Sequence, residues 1–316
     1  MGPPRLAEPM AADSPPMRRP VVAAAEREIG VKHPVLGHGF VVLVDYMGDD
    51  SAIVQAARVS YGAGTKSVRD DRGLIRYLLR HRHTTPFEMV EFKFLVRLPI
   101  YVARQWIRHR TASVNEYSAR YSIVPDEYEL PPPASVRRQS SRNRQGRDEP
   151  LDAAVVERFR GELARVAEEA YRAYSDALAA GVARETARAI LPVAYYTQWY
   201  WKIDLHNLFH FLSLRLDPHA QEEIRAYAAV LAALARTVAP VAVEAFEEFQ
   251  LDGLVFGRRE QRALRELWNG ASPEAACERA GLSLYREDGT RRTSGEAVEF
   301  LEKLERIRSL DGGSLR

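Results

Sequence analysis

The segment VEFKFLVR, residues 90–97, alternates between apolar and polar side chains, and this alternation limits the fold more than any other feature of the sequence. Successive side chains of a β-strand point to opposite faces, so Val90, Phe92, Phe94 and Val96 share one face. The charged residues between them share the other face. The pattern predicts a strand with one buried face, which requires a second layer of structure to cover it.

Most of the remaining periodicity is helical. A second strand is predicted over GFVVLVDYMG, which begins at Gly39, and a short helix over IYVARQWIRHR. Apolar residues at helical spacing predict longer helices over residues 50–61, 71–82, 151–180, about 195–215 and about 219–248. A further helix begins near Arg184 and meets Pro192, which should kink or break it. Few strands followed by long helices favour an α+β fold over a doubly wound sheet.

Composition and charge argue against several classes of protein. The chain has 316 residues, with 45 Lys plus Arg and 43 Asp plus Glu, a net charge of +2. This balance disfavours a generally basic nucleic-acid-binding protein. The apolar stretches are shorter than the ~18 residues that a transmembrane helix needs. The single cysteine, Cys277, excludes an intramolecular disulfide and fits a reducing compartment. We expect a cytoplasmic protein with no membrane partner and no nucleic-acid partner.

Shifts in composition divide the chain into three predicted parts. Residues 1–30 are rich in Pro, Ala and charge, and are predicted to be a disordered tail. Residues 31–250 contain the strands and long helices, with a flexible, arginine-rich insertion at 131–150. Residues 251–316 consist of short, charged helical pieces and are predicted to be a helical C-terminal extension, whose role the sequence does not indicate.

Three short segments resemble ligand-binding motifs without matching them. GHGFVV at 37–42 precedes a predicted strand, whereas the dinucleotide fingerprint follows one, and GAGTKS at 62–67 lacks the Walker spacing. HNLFH places His206 and His210 one helical turn apart, a spacing that suits a metal. However, Asn207 replaces the glutamate that an H-E-x-x-H zinc hydrolase uses as its base. Structural or ligand-binding histidines are therefore favoured, and no metal site is predicted.

The richest group of candidate functional residues lies between residues 105 and 120. It combines cations at a predicted helix end with amides, an acid, hydroxyls and a further arginine: Gln105, Arg108, His109, Arg110, Ser113, Asn115, Glu116, Ser118 and Arg120. Arginine forms forked, charge-assisted hydrogen bonds to phosphate. The group therefore indicates an anion site, and a surface salt-bridge network around Glu116 is the open alternative.

Two later arginines are also candidates. Arg188 lies in RETARAILP, and Arg215 follows a very apolar stretch in FHFLSLRLDPHAQ. A buried arginine is usually paired, either with a structural acid or with an anionic ligand. The spacing does not choose between these two interpretations.

The segment RHRTASVNEYSARYS resembles the signature of the flavin-dependent thymidylate synthases, which is Arg-His-Arg, seven residues and then Ser. Arg108, His109, Arg110 and Ser118 fit this signature without a gap. The resemblance continues in order through GFVVLVDYMGDD, AARVSYG, HTTPFE, PIYVARQWIRHR, RETARAILP and LRLDPHAQ, over about residues 35–250. It implies an α+β fold in which long packed helices surround a small, mainly antiparallel sheet.

The resemblance implies an enzyme that methylates dUMP to dTMP. In that family 5,10-methylenetetrahydrofolate donates the carbon, and FAD, once reduced by NADPH, supplies the hydride. Members are typically homotetramers with active sites at subunit interfaces, so the same assembly is expected here. Flavin hydride transfer needs no protein nucleophile, and Cys277 lies in the unmatched C-terminal region, so this thiol is not expected to take part.

The resemblance also implies roles for individual residues. Arg215 would be catalytic, because a fixed cation beside the uracil favours ionisation at N3. The residues implied for dUMP are Gln105, Arg108, Glu116, Tyr117, Ser118, Ala119, Arg120, Arg188 and Arg215. Those implied for FAD are Thr85, Arg108, His109, Arg110, Glu116, Asp204, Leu205, His206 and His210. Ser60 and His83 are further candidates near the flavin or the folate.

Two other functions stay open on the sequence. A nucleotide- or RNA-binding protein would use the arginines of residues 137–147 as its contact, although no aromatic residue is interleaved there to stack on bases. A metal-dependent hydrolase would use His206 and His210.

Overall fold

The computed structural model describes residues 19–59, 71–140 and 146–310 of the chain. Its strands are β1 (Lys32–Val35), β2 (Gly39–Met47), β3 (Glu91–Pro99), β4 (Ser113–Glu116), β5 (Arg137–Gln139), β6 (Arg147–Pro150) and β7 (Tyr196–Asp204). Five of them form one sheet in the order β1-β2-β3-β7-β4, in which all neighbours are antiparallel. Strands β5 and β6 form a separate hairpin. The expectation of a small antiparallel sheet is confirmed.

Helices are the most frequent secondary structure of the described residues. They are α1 (Ala23–Glu26), α2 (Asp50–Val59), α3 (Asp71–Arg80), α4 (Ile100–Trp106), α5 (Ala153–Ala179), α6 (Arg184–Ala187), α7 (Leu205–Arg215), α8 (Glu222–Val238), α9 (Pro240–Phe246), α10 (Arg258–Trp268), α11 (Pro273–Arg279) and α12 (Glu296–Ser309). Short 3₁₀ turns cover Thr85–Met89, Pro133–Ser135 and Arg188–Ile190. The α+β class is confirmed. Within the described ranges, no helix is both long and apolar enough to cross a membrane.

Strand β3 has the two faces that its alternation predicts. Val90, Phe92, Phe94 and Val96 are buried, while Lys93 is exposed. The buried side chains belong to the main hydrophobic core, together with residues of β2, β7, α7, α8 and α9. The apolar face of the sheet is therefore covered by helices, as the sequence requires.

The segment at about 195–215 is a strand followed by a helix, so the prediction of a single helix there is wrong for its first half. β7 pairs with β3 along its whole length, which makes it a central strand of the sheet. Aromatic and β-branched residues favour such a position, and the strand pairing overrides the helical spacing. Its buried row includes Trp199, Trp201 and Ile203. Asp204 then accepts a 2.8 Å hydrogen bond from the N–H of Asn207 and caps α7.

The predicted helix at about 219–248 is divided in two, because Pro240 cannot donate an intrahelical hydrogen bond. α9 begins at Pro240, and Asp50 at the start of α2 accepts bonds of 2.9 and 3.0 Å from the next two backbone N–H groups. This carboxylate satisfies donors that the helix itself leaves free. The break expected at Pro192 is present, since α6 and its 3₁₀ turn end at Ile190.

Two segments predicted to be mobile are packed where the structure describes them. α1 lies in the predicted tail, yet its Ala25 is fully buried in the main core. The arginine-rich insertion forms the β5–β6 hairpin, in which Arg147 pairs with Glu223 of α8 at 2.5 Å. Both predictions are wrong for these parts, because a core contact and an ion pair hold them. Residues 1–18 and 141–145 lie outside the described residues.

The glycines of the GHG segment have a packing role. Gly39 begins β2, and a Cβ there would collide with the Tyr227 hydroxyl and lie 2.9 Å from the Arg97 carbonyl oxygen. That same hydroxyl donates a 2.8 Å hydrogen bond to the Arg97 carbonyl. The segment is thus a hairpin turn against α8, in agreement with the rejection of a phosphate loop here. The GAGTKS segment lies outside the described residues.

The C-terminal helices α10, α11 and α12 surround a hydrophobic core of their own. Cys277 and Phe300 are fully buried in it, and neither belongs to the main core. Near the boundary, the Lys303 ammonium donates to the Val255 carbonyl at 2.7 Å and to Glu260 at 2.6 Å. A separate core supports a boundary near residue 250, and the division into parts stays a prediction.

Candidate active site

Helix α4 brings the predicted cations to the surface. Trp106, its last residue, is fully buried, with ring centroids 5.0 Å from Trp201 and 4.8 Å from Phe211. This anchor fixes the following turn, in which Arg108 and Arg110 are exposed. Among the described residues, neither arginine has an acidic partner or a hydrogen bond, so both guanidinium groups remain available to a ligand.

One group of predicted site residues centres on the half-buried His109 and Arg215, and we call these two, with the exposed His210 beside them, the buried cluster. The Arg215 Nε donates a 3.0 Å hydrogen bond to Nε2 of His109. The His109 ring lies 6.0 Å from the His210 ring and 4.8 Å from the Phe211 ring, centroid to centroid. The end of α4 and the last turns of α7 therefore meet at this cluster.

The surroundings of the buried cluster keep His109 neutral. Burial, together with the nearby Arg215 and His210, lowers the pKa of His109 from 6.5 to about 4. A neutral imidazole that accepts at Nε2 carries its proton on Nδ1. Burial also lowers the pKa of Arg215. No described carboxylate lies within ion-pair distance of Arg215, so its half-buried positive charge lacks a protein counter-ion. Such a charge favours binding of an anion.

A second group lies on the surface, and we call Ser118, Arg120, Glu185 and Arg188 the surface cluster. Arg120 pairs with the Glu185 carboxylate at 3.4 Å, and the Arg188 Nε donates to the Glu185 carbonyl oxygen at 3.3 Å. The Arg120 N–H lies 3.4 Å from the Ser118 hydroxyl oxygen. Through Glu185, the structure thus brings Arg188 of the RETARAILP segment close to Arg120, which follows the Arg-His-Arg signature.

Strand β4 links the two clusters along the chain. Glu116 is exposed and accepts a 2.6 Å hydrogen bond from the Thr197 hydroxyl. The Tyr117 N–H donates to the Gln198 carbonyl at 2.8 Å, and its own hydroxyl donates to the Ile123 carbonyl at 2.8 Å. These bonds hold the backbone of the motif against β7. Among the surrounding residues, the half-buried Ala119 packs on a small core around Tyr174.

Gln105 carries an unsatisfied polar atom. Its Oε1 is buried and has no hydrogen-bond partner within the described part of the chain. Buried acceptors are normally satisfied, and leaving one unpaired costs about 1–3 kcal/mol. The side chain lies one residue before the anchor Trp106, on the helix that leads to His109. A ligand donor at this position would satisfy the amide oxygen.

The two clusters lie beside different hydrophobic cores of the described chain. No hydrogen bond, ion pair or ring contact between described residues joins a member of the buried cluster to a member of the surface cluster. The buried cluster packs on the main core through Phe211, whereas Ala187 beside Arg188 packs on the small core around Tyr174. A single chain therefore displays two separate groups of predicted site residues.

The comparisons with known proteins agree on one family. A family model described as thymidylate synthase complementing protein matches residues 42–241. The flavin-dependent thymidylate synthase of Gluconobacter oxydans is 58% identical over 236 residues, 74% of this chain and 78% of the relative. That of Thermus thermophilus is 56% identical over 249 residues, 79% of this chain and 90% of the relative.

The chain belongs to the flavin-dependent thymidylate synthases. A solved structure agrees: a UMP/dUMP methylase from Streptomyces cacaoi bound with 5-Br UMP superposes with a TM-score of 0.63 at 37% identity. The match covers 69% of this chain and 98% of that one. The protein is accordingly an enzyme of thymidylate synthesis that uses FAD, with methylenetetrahydrofolate and NADPH as co-substrates.

The side chains near the buried cluster fit a flavin thymidylate synthase site. The 3₁₀ turn that starts at Thr85 packs on α7 through Phe87, whose ring lies 6.3 Å from that of Phe209. Thr85 is exposed there, and His206 and His210 lie one turn apart on α7. Together with the unpaired Arg108 and Arg110, these donors and cations suit an anionic, phosphate-bearing cofactor such as FAD.

Three of the residues predicted near the flavin have surroundings unlike those of the exposed donors and cations just described. Leu205 is fully buried and its N–H donates to the Val90 carbonyl at 2.8 Å, so its side chain does not reach the surface. Asp204 uses both carboxylate oxygens to bind Asn207. His83 is exposed, with its ring 6.0 Å from that of Tyr77.

Two points of the sequence analysis remain, the position of Ser60 and the possibility of a metal site. Ser60 lies outside the described residues. Within the described ranges, no group of three or more His, Cys, Asp or Glu side chains is placed to hold a metal ion.

Two contacts of the predicted site residues could not be read directly from the sequence. Glu185 joins Arg120 to the segment of Arg188, and Thr197 holds Glu116. Glu185 stands three residues before Arg188 in RETARAILP, so its spacing could have drawn attention to it. Nothing in the sequence marked Thr197, because it was assigned to a helix and its contact depends on strand pairing.

Proposed function

We propose that dUMP binds between the buried cluster of one subunit and the surface cluster of another. The half-buried Arg215, which has no carboxylate partner among the described residues, carries this proposal. The separation of the two clusters within one chain supports a site shared between subunits. The bromo-UMP-bound methylase from Streptomyces cacaoi supports a pyrimidine nucleotide as the ligand.

The surface cluster would hold the phosphate of dUMP. Arg120 and Arg188 each use only one guanidinium nitrogen in the contacts described above, so further N–H donors face outward. A phosphate dianion can take these donors together with the Ser118 hydroxyl and the backbone around Tyr117 and Ala119. Glu185 keeps the two arginine segments together and limits the repulsion between them.

The buried cluster would act on the uracil ring. Because its Nε is bound to His109, the Arg215 guanidinium is fixed, while its two terminal nitrogens bind no other described residue. A fixed cation in a partly desolvated site lowers the pKa of the uracil N3 and stabilises the charge that develops in the ring. The buried Oε1 of Gln105 would accept a donor from the nucleotide, with Arg108 and Glu116 beside it.

FAD, when bound, supplies the hydride of the reductive methylation. The side chains that would hold it are those around the buried cluster: Thr85, Arg108, His109, Arg110, Glu116, His206 and His210. Asp204 and Leu205, also predicted at the flavin, would support them from the start of α7, Asp204 as its cap and Leu205 by packing beneath. Cys277 is fully buried in the C-terminal core, and burial raises the pKa of its thiol. A cysteine nucleophile is therefore not part of this proposal.

Tritium release tests the proposed activity directly. Purified protein is expected to be yellow and to release tritium from C5-labelled dUMP only when NADPH and methylenetetrahydrofolate are both present. A colourless protein that ignores added FAD and releases no tritium would overturn the assignment. The nucleotide- or RNA-binding alternative is not favoured, because Arg147, one of the arginines that it would use, is paired with Glu223.

Mixing of two inactive variants tests the shared site and the homotetramer. Arg215→Ala and Arg188→Ala are each expected to be impaired. If neighbouring subunits supply the two arginines, co-refolded mixed tetramers regain activity, up to roughly a quarter of the sites in a random assembly. No recovery in mixed tetramers of verified composition would place both arginines in one subunit. We further propose, as the sequence predicts, that residues 31–250 carry this site and that the enzyme is cytoplasmic.

A further inference from the structure

Thr197 is a polar residue in an apolar row. It lies on β7 two residues before Trp199, in the row that continues to Ile203, and its side chain points into the same face. Only 8% of Thr197 is exposed, yet its hydroxyl donates a 2.6 Å hydrogen bond to Oε1 of Glu116. Valine has nearly the same shape and suits an apolar strand face, so packing alone does not account for a hydroxyl here.

The register of the sheet explains why these two side chains meet. Glu116 lies opposite Trp199 in the β4–β7 pair, so Thr197 is its diagonal neighbour on the same face. β4 is an edge strand of the sheet, and all four of its residues are exposed. The backbone next to Glu116 is fixed by the hydrogen bond from the Tyr117 N–H to Gln198. The hydroxyl of Thr197 is then what limits rotation of an otherwise exposed carboxylate.

We infer that Thr197 is a positioning residue for nucleotide binding. Its hydroxyl holds one carboxylate oxygen of Glu116, so that the other oxygen is oriented toward a hydroxyl or imide N–H of the nucleotide. Among the described residues, that second oxygen, Oε2, has no hydrogen-bond partner. Ordering a three-torsion side chain before binding reduces the entropy lost on binding. The inference rests on the proposed role of Glu116 at the dUMP site.

A double-mutant cycle tests this role. The dissociation constant of dUMP would be measured from the change in flavin absorbance of the FAD-loaded enzyme. Thr197→Val is expected to weaken dUMP binding by about 10-fold, because it removes a hydrogen bond to a charged group. Thr197→Ser keeps the hydroxyl and should remain within about 2-fold of the wild type. On the Glu116→Ala background, which removes the acceptor of the Thr197 hydroxyl, Thr197→Val should add less than about 2-fold, because the two residues act as one unit.

The outcomes separate this inference from the proposed function. If Thr197→Val weakens binding equally on both backgrounds, or if Thr197→Ser weakens it as much, the hydroxyl does not act through Glu116 and the inference is overturned. If Glu116→Ala leaves dUMP affinity unchanged, the assignment of Glu116 fails, and the inference fails with it. Thermal melting identifies a variant that does not fold, and Thr197→Ala, which also lacks the hydroxyl, then takes the place of valine in the same cycle.

Discussion

The buried cluster and the surface cluster hold the same kind of side chain in opposite surroundings. Arg215 is half-buried, has no described carboxylate partner and is fixed by a neutral imidazole. Arg120 and Arg188 are exposed, and both contact Glu185. Charges interact strongly where water is excluded and weakly where water and salt screen them. We therefore expect the buried cluster to control the reactivity of the nucleotide and the surface cluster to control its affinity.

Replacement of Arg215 is expected to have the largest effect. Arg215→Ala should lower turnover by about 100- to 1000-fold, as for loss of one preorganised donor at a developing charge. The fold and bound FAD should be retained, because no described acid depends on this arginine. Single-turnover tritium release measures the loss, and the flavin spectrum checks retention of FAD. Arg215→Lys, which keeps the charge but not the forked geometry, serves as the matched variant. Unchanged turnover in Arg215→Ala would remove the distinction between the clusters.

Replacement of Arg188 should act mainly on affinity. Arg188→Ala is expected to raise the dUMP dissociation constant by about 10- to 100-fold, because it removes a charge-assisted contact to phosphate. Binding should also become less sensitive to salt, because one fewer exposed cation takes part. Titration of dUMP into the enzyme at two salt concentrations measures both effects. Arg165→Ala on α5, whose partners are Glu162 and Glu169, is the control. A large fall in turnover at saturating dUMP would show that the surface cluster also acts on reactivity.

The pH dependence of stability probes the buried cluster without any ligand. The pKa of His109 is about 4 in the folded protein, against 6.5 for an ordinary histidine. Between these values the unfolded chain binds a proton that the folded chain does not, so this site destabilises the protein as pH falls from about 6.5 toward 4. Since His109 is only half-buried, we expect a loss of about 1–2 kcal/mol.

Urea unfolding of wild type and His109→Gln at pH 7 and pH 5 measures this term. Glutamine can accept the Arg215 hydrogen bond but does not titrate, so its stability should fall less between the two pH values. Identical pH dependence in the two proteins would indicate that the fold does not hold His109 neutral. The surroundings of the buried cluster would then differ less from those of the surface cluster than proposed.

The sequence predicted the elements whose local period agrees with their tertiary surroundings. The alternation in β3 and the spacing in α2, α3 and α5 gave the right element type. The prediction of a helix at β7 was wrong because the aromatic residues there also occur at helical spacing. Only pairing with β3 decides between a helix and a strand. The prediction of a flexible insertion was wrong for a similar reason, since the ion pair of Arg147 with Glu223 joins residues far apart in the sequence.

The same distinction between local pattern and tertiary contact applies to the candidate site. Residues that follow one another in a motif, such as Arg108 to Ser118, could be predicted because their spacing is visible in the chain. Contacts made across the fold could not: the bond from Arg215 to His109 spans two helices, and that from Thr197 to Glu116 depends on strand register. Burial of Leu205 was also invisible, because its neighbours on α7 alternate between core and surface.

Replacement of Cys277 should have the smallest effect on activity and tests whether a group outside both clusters takes part. The thiol is fully buried in the C-terminal core, and burial raises its pKa, so little reactive thiolate forms at neutral pH. Cys277→Ser should keep tritium release within about 2-fold of the wild type, while the newly buried hydroxyl costs about 1–3 kcal/mol of stability. Cys277→Ala, which buries no polar group, separates the two effects. A folded but inactive alanine variant would mean that the thiol takes part in the reaction, and that the two clusters are not sufficient for it.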